Sequence, residues 1–244
     1  MSSAPDLTSR LLRHDRLLVA GGLVLLIALS WAYLATGAGL AGAMAMEGMA
    51  PPPLRALVLM WWIMMAAMML PSAAPTVMLY ARVRAQRGPA EIAAPWMFVL
   101  GYLLIWLAFS VIAAAIQKAV AGPAMAIVDP HAAGVLLMAV GIYQLTPFKS
   151  ACLRQCQSPA AFLSRHWRAG TVGALRLGVL HGAYCVGCCW LLMALLFVGG
   201  VMNFAWIAAI AVIVGLEKLA PQGEWLGRTV GIGLILWGGA RLVA

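Results

Sequence analysis

The sequence predicts an all-α fold, a polytopic transmembrane helical bundle of about seven spans forming a single integral membrane domain over residues 1–244, and three observations carry that prediction. Apolar residues make up 64% of the 244 residues and charged residues only 9%, whereas soluble domains carry about 25% charged residues. Apolar runs of about 20 residues recur along the chain, the length that crosses a bilayer core as a helix. Lys and Arg gather in alternate connecting segments, as cytoplasmic loops do. The longest polar stretch, Lys149 to Thr171, is too short to bury a core of its own.

Taken in order, the first run is 17–36. It follows Arg10, Arg13 and Arg16, but it is too long for a signal h-region and ends in Gly37–Gly39, a poor cleavage site, so it reads as a retained span. The second, 54–81, contains Pro71 and Pro75, which predict a kink or a break. The third is 94–119 and the fourth, shorter, 131–148. The fifth is 172–199, the sixth 202–219 and the seventh 225–243, with the polar turn Lys218–Glu224 between the last two. Within the loop after the fourth run, Ala160–Trp167 has apolar residues at helical spacing interleaved with Arg165 and His166. It predicts an interfacial helix over about 158–168, lying on anionic lipid. Gly227 and Gly231 form a small-xxx-small pair for helix packing in the last span.

With the N-terminus in the cytoplasm, every Lys and Arg except Arg55, Lys118 and Arg241 falls on the cytoplasmic side. That bias predicts a cytoplasmic N-terminus and a periplasmic C-terminus in the bacterial inner membrane. The net charge of +9 then reflects loop composition. No nucleic-acid module is present, and the expected partners are the lipid bilayer, other membrane subunits or a metal chaperone.

One segment concentrates reactive side chains. His181, Cys185, Cys188 and Cys189 lie near the middle of the fifth run. At about 100° per residue, Cys185 falls about 40° from His181, Cys188 about 20° the other way, and Cys189 about 80° round. One helix face thus presents an imidazole and three thiols, borderline and soft ligands that suit Cu(I) or, less well, Zn(II). An ionisable residue inside the bilayer is costly and points to function. The same face is also compatible with packing, since buried Cys is a small apolar filler, and with thiol redox chemistry.

Four rigid positions on one helix cannot close a tetrahedron around an ion, so a second element must contribute. The second run supplies Met60, Met64 and Met68 on one stripe, with Met65 and Met69 beside it; thioethers select Cu(I), although Met is also a common packing residue. Met44, Met46 and Met49 stand in the first outer loop, where methionines are expected to capture Cu(I). Cys152 and Cys156 share a helix face at i, i+4 spacing on the cytoplasmic side, where thiols stay reduced and could form an exit site. Glu217 stands alone at a span end beside Lys218, and pairing or snorkelling accounts for it. No HExxH, P-loop or GxSxG motif is present, and no catalytic residue is expected.

Several strings carry a resemblance: MMLPSAAP at 68–75, YQLTPFKSACLRQCQSP at 143–159, FLSRHWRAG at 162–170, GALRLGVLHGAYCVGCCWLLMALLFVGGVMN at 173–203 and EKLAP at 217–221. From about Met60 to Gly239 the chain resembles the domain of unknown function 2182 family, described as predicted metal-binding integral membrane proteins. The resemblance implies a membrane location and a metal site at His181, Cys185, Cys188 and Cys189, with Cys152 and Cys156 as further candidates. The function expected from all of this is soft-metal binding, with Cu(I) as cargo, in metal trafficking or delivery. An accessory subunit of a larger membrane complex and a membrane thiol oxidoreductase are the alternatives.

Overall fold

A computed structural model of the chain describes residues 7–36, 53–85, 93–120, 127 and 129–243, all but 7–16 and 120 with side chains. Met44, Met46 and Met49 lie outside the described residues. The described chain is helical, with no strand among the described residues. Ten helices follow one another: α1 Leu7–Ala35, α2 Leu54–Ala85, α3 Ala93–Val120, α4 Pro130–Gln144, α5 Pro147–Gln157, α6 Pro159–His166, α7 Gly170–Ala194, α8 Leu196–Gly199, α9 Phe204–Leu219 and α10 Gly223–Val243.

Among the described residues, five helices are long and apolar enough to cross a membrane, and six if α4 and α5 count as one bent span. The difference from seven arises in two places. Gln144 ends α4, and the chain turns through 64° before α5, because Thr146 caps α5 with its hydroxyl and Pro147 occupies its first turn, a position where a missing N–H costs nothing. The sixth run forms α9, but Asn203 caps it at Trp206, and its 16 residues span only about 24 Å at 1.5 Å per residue. Of the kink or break expected in α2, the break does not occur: the helix runs on through Pro71 and Pro75. Neighbouring helices and side-chain hydroxyls support a proline-containing membrane helix. Pro71 and Pro75 deprive the carbonyls of Ala67 and Pro71 of their N–H donors; between those two, the Met69 carbonyl accepts from both the Ser72 and the Tyr102 hydroxyl.

Burial sorts the helices into an inner pair and an outer set. Of the most apolar window of α2, 67% is buried, and of α7 half, against 22% for α1 and for α10. The outer helices leave Leu25, Leu29, Ile232 and Leu236 exposed, an apolar coat suited to lipid. Small residues let two pairs approach to backbone contact. A Cβ at Gly178 would meet the Phe98 carbonyl oxygen at 2.0 Å and one at Gly101 the Leu175 carbonyl oxygen at 2.2 Å, which locks α7 onto α3. Gly231 of α10 packs in the same manner against Gly141 of α4, so the glycine pair noted in the last span is indeed a packing face.

The short α6 lies where the sequence places an interfacial helix. Its Phe162 and Leu163 are buried in the bundle, with Phe162 against the His181 ring at 5.0 Å. Its apolar face is therefore satisfied by protein. At the other end of α4, the Asp129 carboxylate caps the helix. Backbone N–H groups of Ala132 and then His131 hold its pKa below the usual carboxylate value.

A sulfur cluster around a buried lysine

α7 carries its four reactive residues through the middle of the bundle, and all four are buried: His181, Cys185, Cys188 and Cys189. They do not act as one face. The Cys188 and Cys189 thiols donate to the Cys185 carbonyl, at 3.1 and 3.0 Å, bonds to the preceding turn that thiols make readily in helices. His181 instead stands in a cage of aromatic rings, Phe98, Tyr102 and Phe162, with centroids 5.0 to 5.9 Å away. Its Nδ1 is buried without a hydrogen-bond partner.

The second element that completes the site is α2, through Met69. Met69 Sδ lies 3.9 Å from Cys189 Sγ. The sequence reading favoured Met64 and Met68. The structure turns both elsewhere: Met64 lines a cavity beside Leu34 and Met202, and Met68 another beside Trp31 and Pro71. One residue along a helix is a rotation of about 100°, enough to decide which methionine meets the thiols.

The residue at the centre is Lys218 of α9, 4% exposed. Its ammonium donates to Cys185 Sγ at 2.9 Å, to Cys189 Sγ at 3.5 Å and to Met69 Sδ at 3.5 Å. The Tyr102 hydroxyl closes the group at 3.0 Å from Cys185 Sγ. Cys156 of α5 is buried as well, on the helix that packs against α7. Cys152 packs beside α7, where a Cβ at Gly187 would come 3.0 Å from its Sγ. All five cysteines are free and buried.

Lys218 does not pair with Glu217, nor does it snorkel. Glu217, 1% exposed, points the other way and accepts from Lys149 Nζ at 2.7 Å and from Gln144 Nε2 at 2.7 Å. Successive residues on a helix diverge by about 100°, so one enters a polar node and the other a sulfur cluster. Sequence reasoning set Met69 beside the methionine stripe, gave Lys218 no part in the site and did not single out Tyr102. The available signal was a lysine in an otherwise apolar span, which the membrane makes expensive.

As the side chains stand, no three His, Cys, Asp or Glu among the described residues are set to hold a metal ion. Two thiols have turned to the Cys185 carbonyl, and the ammonium holds the space between the sulfurs. The donor set at that space is nonetheless two cysteine sulfurs and one methionine sulfur from separate helices, the soft set that favours Cu(I) over harder ions.

Neither a curated protein nor a solved structure matches the chain. A family model does match, over residues 58–241, and its description is PpoB2, copper chaperone. That stretch coincides with the one on which the sequence resemblance rested, under a copper description in place of the label domain of unknown function 2182. With residues 58–241 matched, the chain belongs to the PpoB2 copper chaperone family.

Proposed function

We propose that the chain binds Cu(I) within the membrane at Cys185, Cys189 and Met69 and passes it on in copper delivery. One observation carries this reading: a single monovalent cation, the Lys218 ammonium, is already held among those three sulfurs. Cu(I) is a monovalent cation of far greater affinity for sulfur, and its arrival there requires the lysine side chain to withdraw. Tyr102 and the aromatic cage around His181 exclude water from the site. Cys188 on α7 and the buried Cys152 and Cys156 on the neighbouring α5 extend the thiols beyond the cluster. They offer a sequence of ligand exchanges toward the face that carries Lys149 and Arg154. His181, one turn from Cys185, is a ligand in reserve, with an unpartnered ring nitrogen.

The fuller topology is part of the same proposal. Seven crossings, with α4–α5 and α9 each counted as one, put the N-terminus in the cytoplasm, the C-terminus in the periplasm and the protein in the bacterial inner membrane. Met44, Met46 and Met49 then face the outer side as capture ligands, and the thiols of α5 face a cytoplasmic acceptor, either a metal chaperone or another membrane subunit. Met68 is assigned no ligand role at the thiol cluster.

The test is anaerobic Cu(I) titration of the detergent-purified chain against a chromophoric Cu(I) chelator, with zinc as the control metal. Wild-type protein is expected to hold Cu(I) at a sulfur site that Cys185→Ser weakens about a hundredfold. Equal binding by the wild type and by Cys185→Ser would sink the assignment to this cluster.

A further inference from the structure

A second group of soft donors lies apart from the thiols, and the function above does not use it. Met60 and Met64 stand one turn apart on α2, both buried. Met202, half-buried in the turn that follows Gly200, faces them across a small cavity of about 10 Å³. The other walls are Leu34, Val201, Phe204 and Ile207. Among the described residues, no hydroxyl, amide or charged side chain lines it.

The chemistry of that cavity is narrow. Its volume is about that of one water-sized sphere, but a buried water needs two or more polar partners, and the lining side chains supply none. An apolar ligand of ordinary size does not fit. What such a space does offer is a lining of three methionine side chains from two elements, and thioethers select Cu(I) among biological cations. The turn is held in place to present Met202. Gly200 takes φ 89°, a left-handed conformation open to glycine. Asn203 then caps α9 by accepting from the Trp206 N–H, while the Trp206 ring N–H donates to the Leu195 carbonyl.

We propose that Met60, Met64 and Met202 form a second Cu(I) site, a weaker loading site that supplies the thiol cluster. The inference rests on Cu(I) being the cargo. Met64 and Met69 are five residues apart on α2, about 7.5 Å along its axis, so both sites hang on one buried helix. Neutral thioethers hold Cu(I) less tightly than cysteine sulfur, which sets the direction of transfer from the methionines to the cysteines. No electron is exchanged in the step: Cu(I) leaves thioether ligands and joins thiolate ligands, and the displaced thiol protons pass to solvent or buffer.

The experiment uses the full chain in detergent, labelled with selenomethionine, and Cu(I) itself as the probe, with Ag(I) as a redox-inert check. The wild type is expected to bind two Cu(I) per chain with distinct affinities. In Cys185→Ser, the copper that remains is expected to show selenium neighbours alone by X-ray absorption at the copper edge. The triple variant Met60→Leu, Met64→Leu, Met202→Leu is expected to lose the weaker equivalent and keep the tighter one, which also shows that it is folded. Should the triple variant not fold, Met202→Leu alone, on the half-buried wall, is expected to weaken the second equivalent about tenfold. Two equivalents retained in the folded methionine variants, or no selenium-bound copper in Cys185→Ser, overturns the loading site while leaving the thiol site standing. A wild type that binds no Cu(I) overturns both.

Discussion

Two lysine ammonium groups are buried side by side in this bundle, and they keep different company. Lys149 meets a carboxylate: Glu217 at 2.7 Å, with Gln144 on the second carboxylate oxygen. Lys218 meets sulfur: Cys185, Cys189 and Met69. Both lysines are nearly inaccessible, at 1% and 4% exposed. The first arrangement is closed. Its charges cancel, and it ties α4, α5 and α9 together, with Gln157 adding a bond to the Glu217 carbonyl. The second leaves the ammonium facing polarisable ligands that a softer cation would hold better. A buried ion pair matched to a carboxylate reads as architecture, and a buried cation matched to thiols reads as a site awaiting exchange.

Substitutions can break or sharpen this contrast. The largest effect is expected from Lys149→Met, which strands the Glu217 carboxylate in the bundle. Breaking a buried pair in this way costs about 3–5 kcal/mol, read as a fall in thermal unfolding temperature in detergent. The double variant Lys149→Met, Glu217→Gln is expected to recover most of that loss. A loss under about 1 kcal/mol for the single change would show that the node is not the closed pair described above.

Next in size is Cys185→Ser. It is expected to lower Cu(I) affinity about a hundredfold, about 2.8 kcal/mol at 1.4 kcal/mol per tenfold, with little change in unfolding temperature. Lys218→Met follows. It leaves behind thiols and a thioether, which apolar surroundings tolerate, so the expected stability cost is about 1–2 kcal/mol, well below that of Lys149→Met, and copper stoichiometry stays intact. If the two lysine variants unfold at the same temperature, the contrast between the sites is lost. The smallest effect belongs to Gly227→Ala. Its new Cβ would come 2.8 Å from Lys149 Nζ and 3.3 Å from Glu217 Oε1, an overpacking expected to cost about 1 kcal/mol. Copper binding unchanged in this variant would show that the polar node and the sulfur cluster are separable.

Much of the fold was legible residue by residue. The runs 54–81, 94–119 and 225–243 became α2, α3 and α10 with ends shifted by a few residues, because apolar length and helix-compatible residues report on the same bilayer constraint. The span count was less legible. α9 carries a polar end, Glu217–Lys218, that hydropathy counts as a boundary, yet both side chains are buried. The bend at Thr146–Pro147 is local turn chemistry that an apolar run from 131 to 148 conceals.

The segment was legible, but which of its side chains meet was not. Cys185 and Cys189 lie against Lys218 and Met69, His181 faces aromatic rings, and Met69 rather than Met68 is the methionine beside the thiols. The strings MMLPSAAP and EKLAP, quoted for their resemblance alone, contain Met69 and Lys218, the two residues that complete the cluster.

The sequence by itself determined the helical class, the membrane-length apolar runs and the presence of soft donors on α2, α5 and α7, since composition and the 3.6-residue period are properties of the chain alone. Only the tertiary structure decided which donors meet. Lys218 lies 33 positions from Cys185 and 149 from Met69, and no helical period connects them. Their meeting depends on how α2, α7 and α9 rotate when glycine-lined faces close on one another. A rotation of one residue would exchange sulfur for lipid.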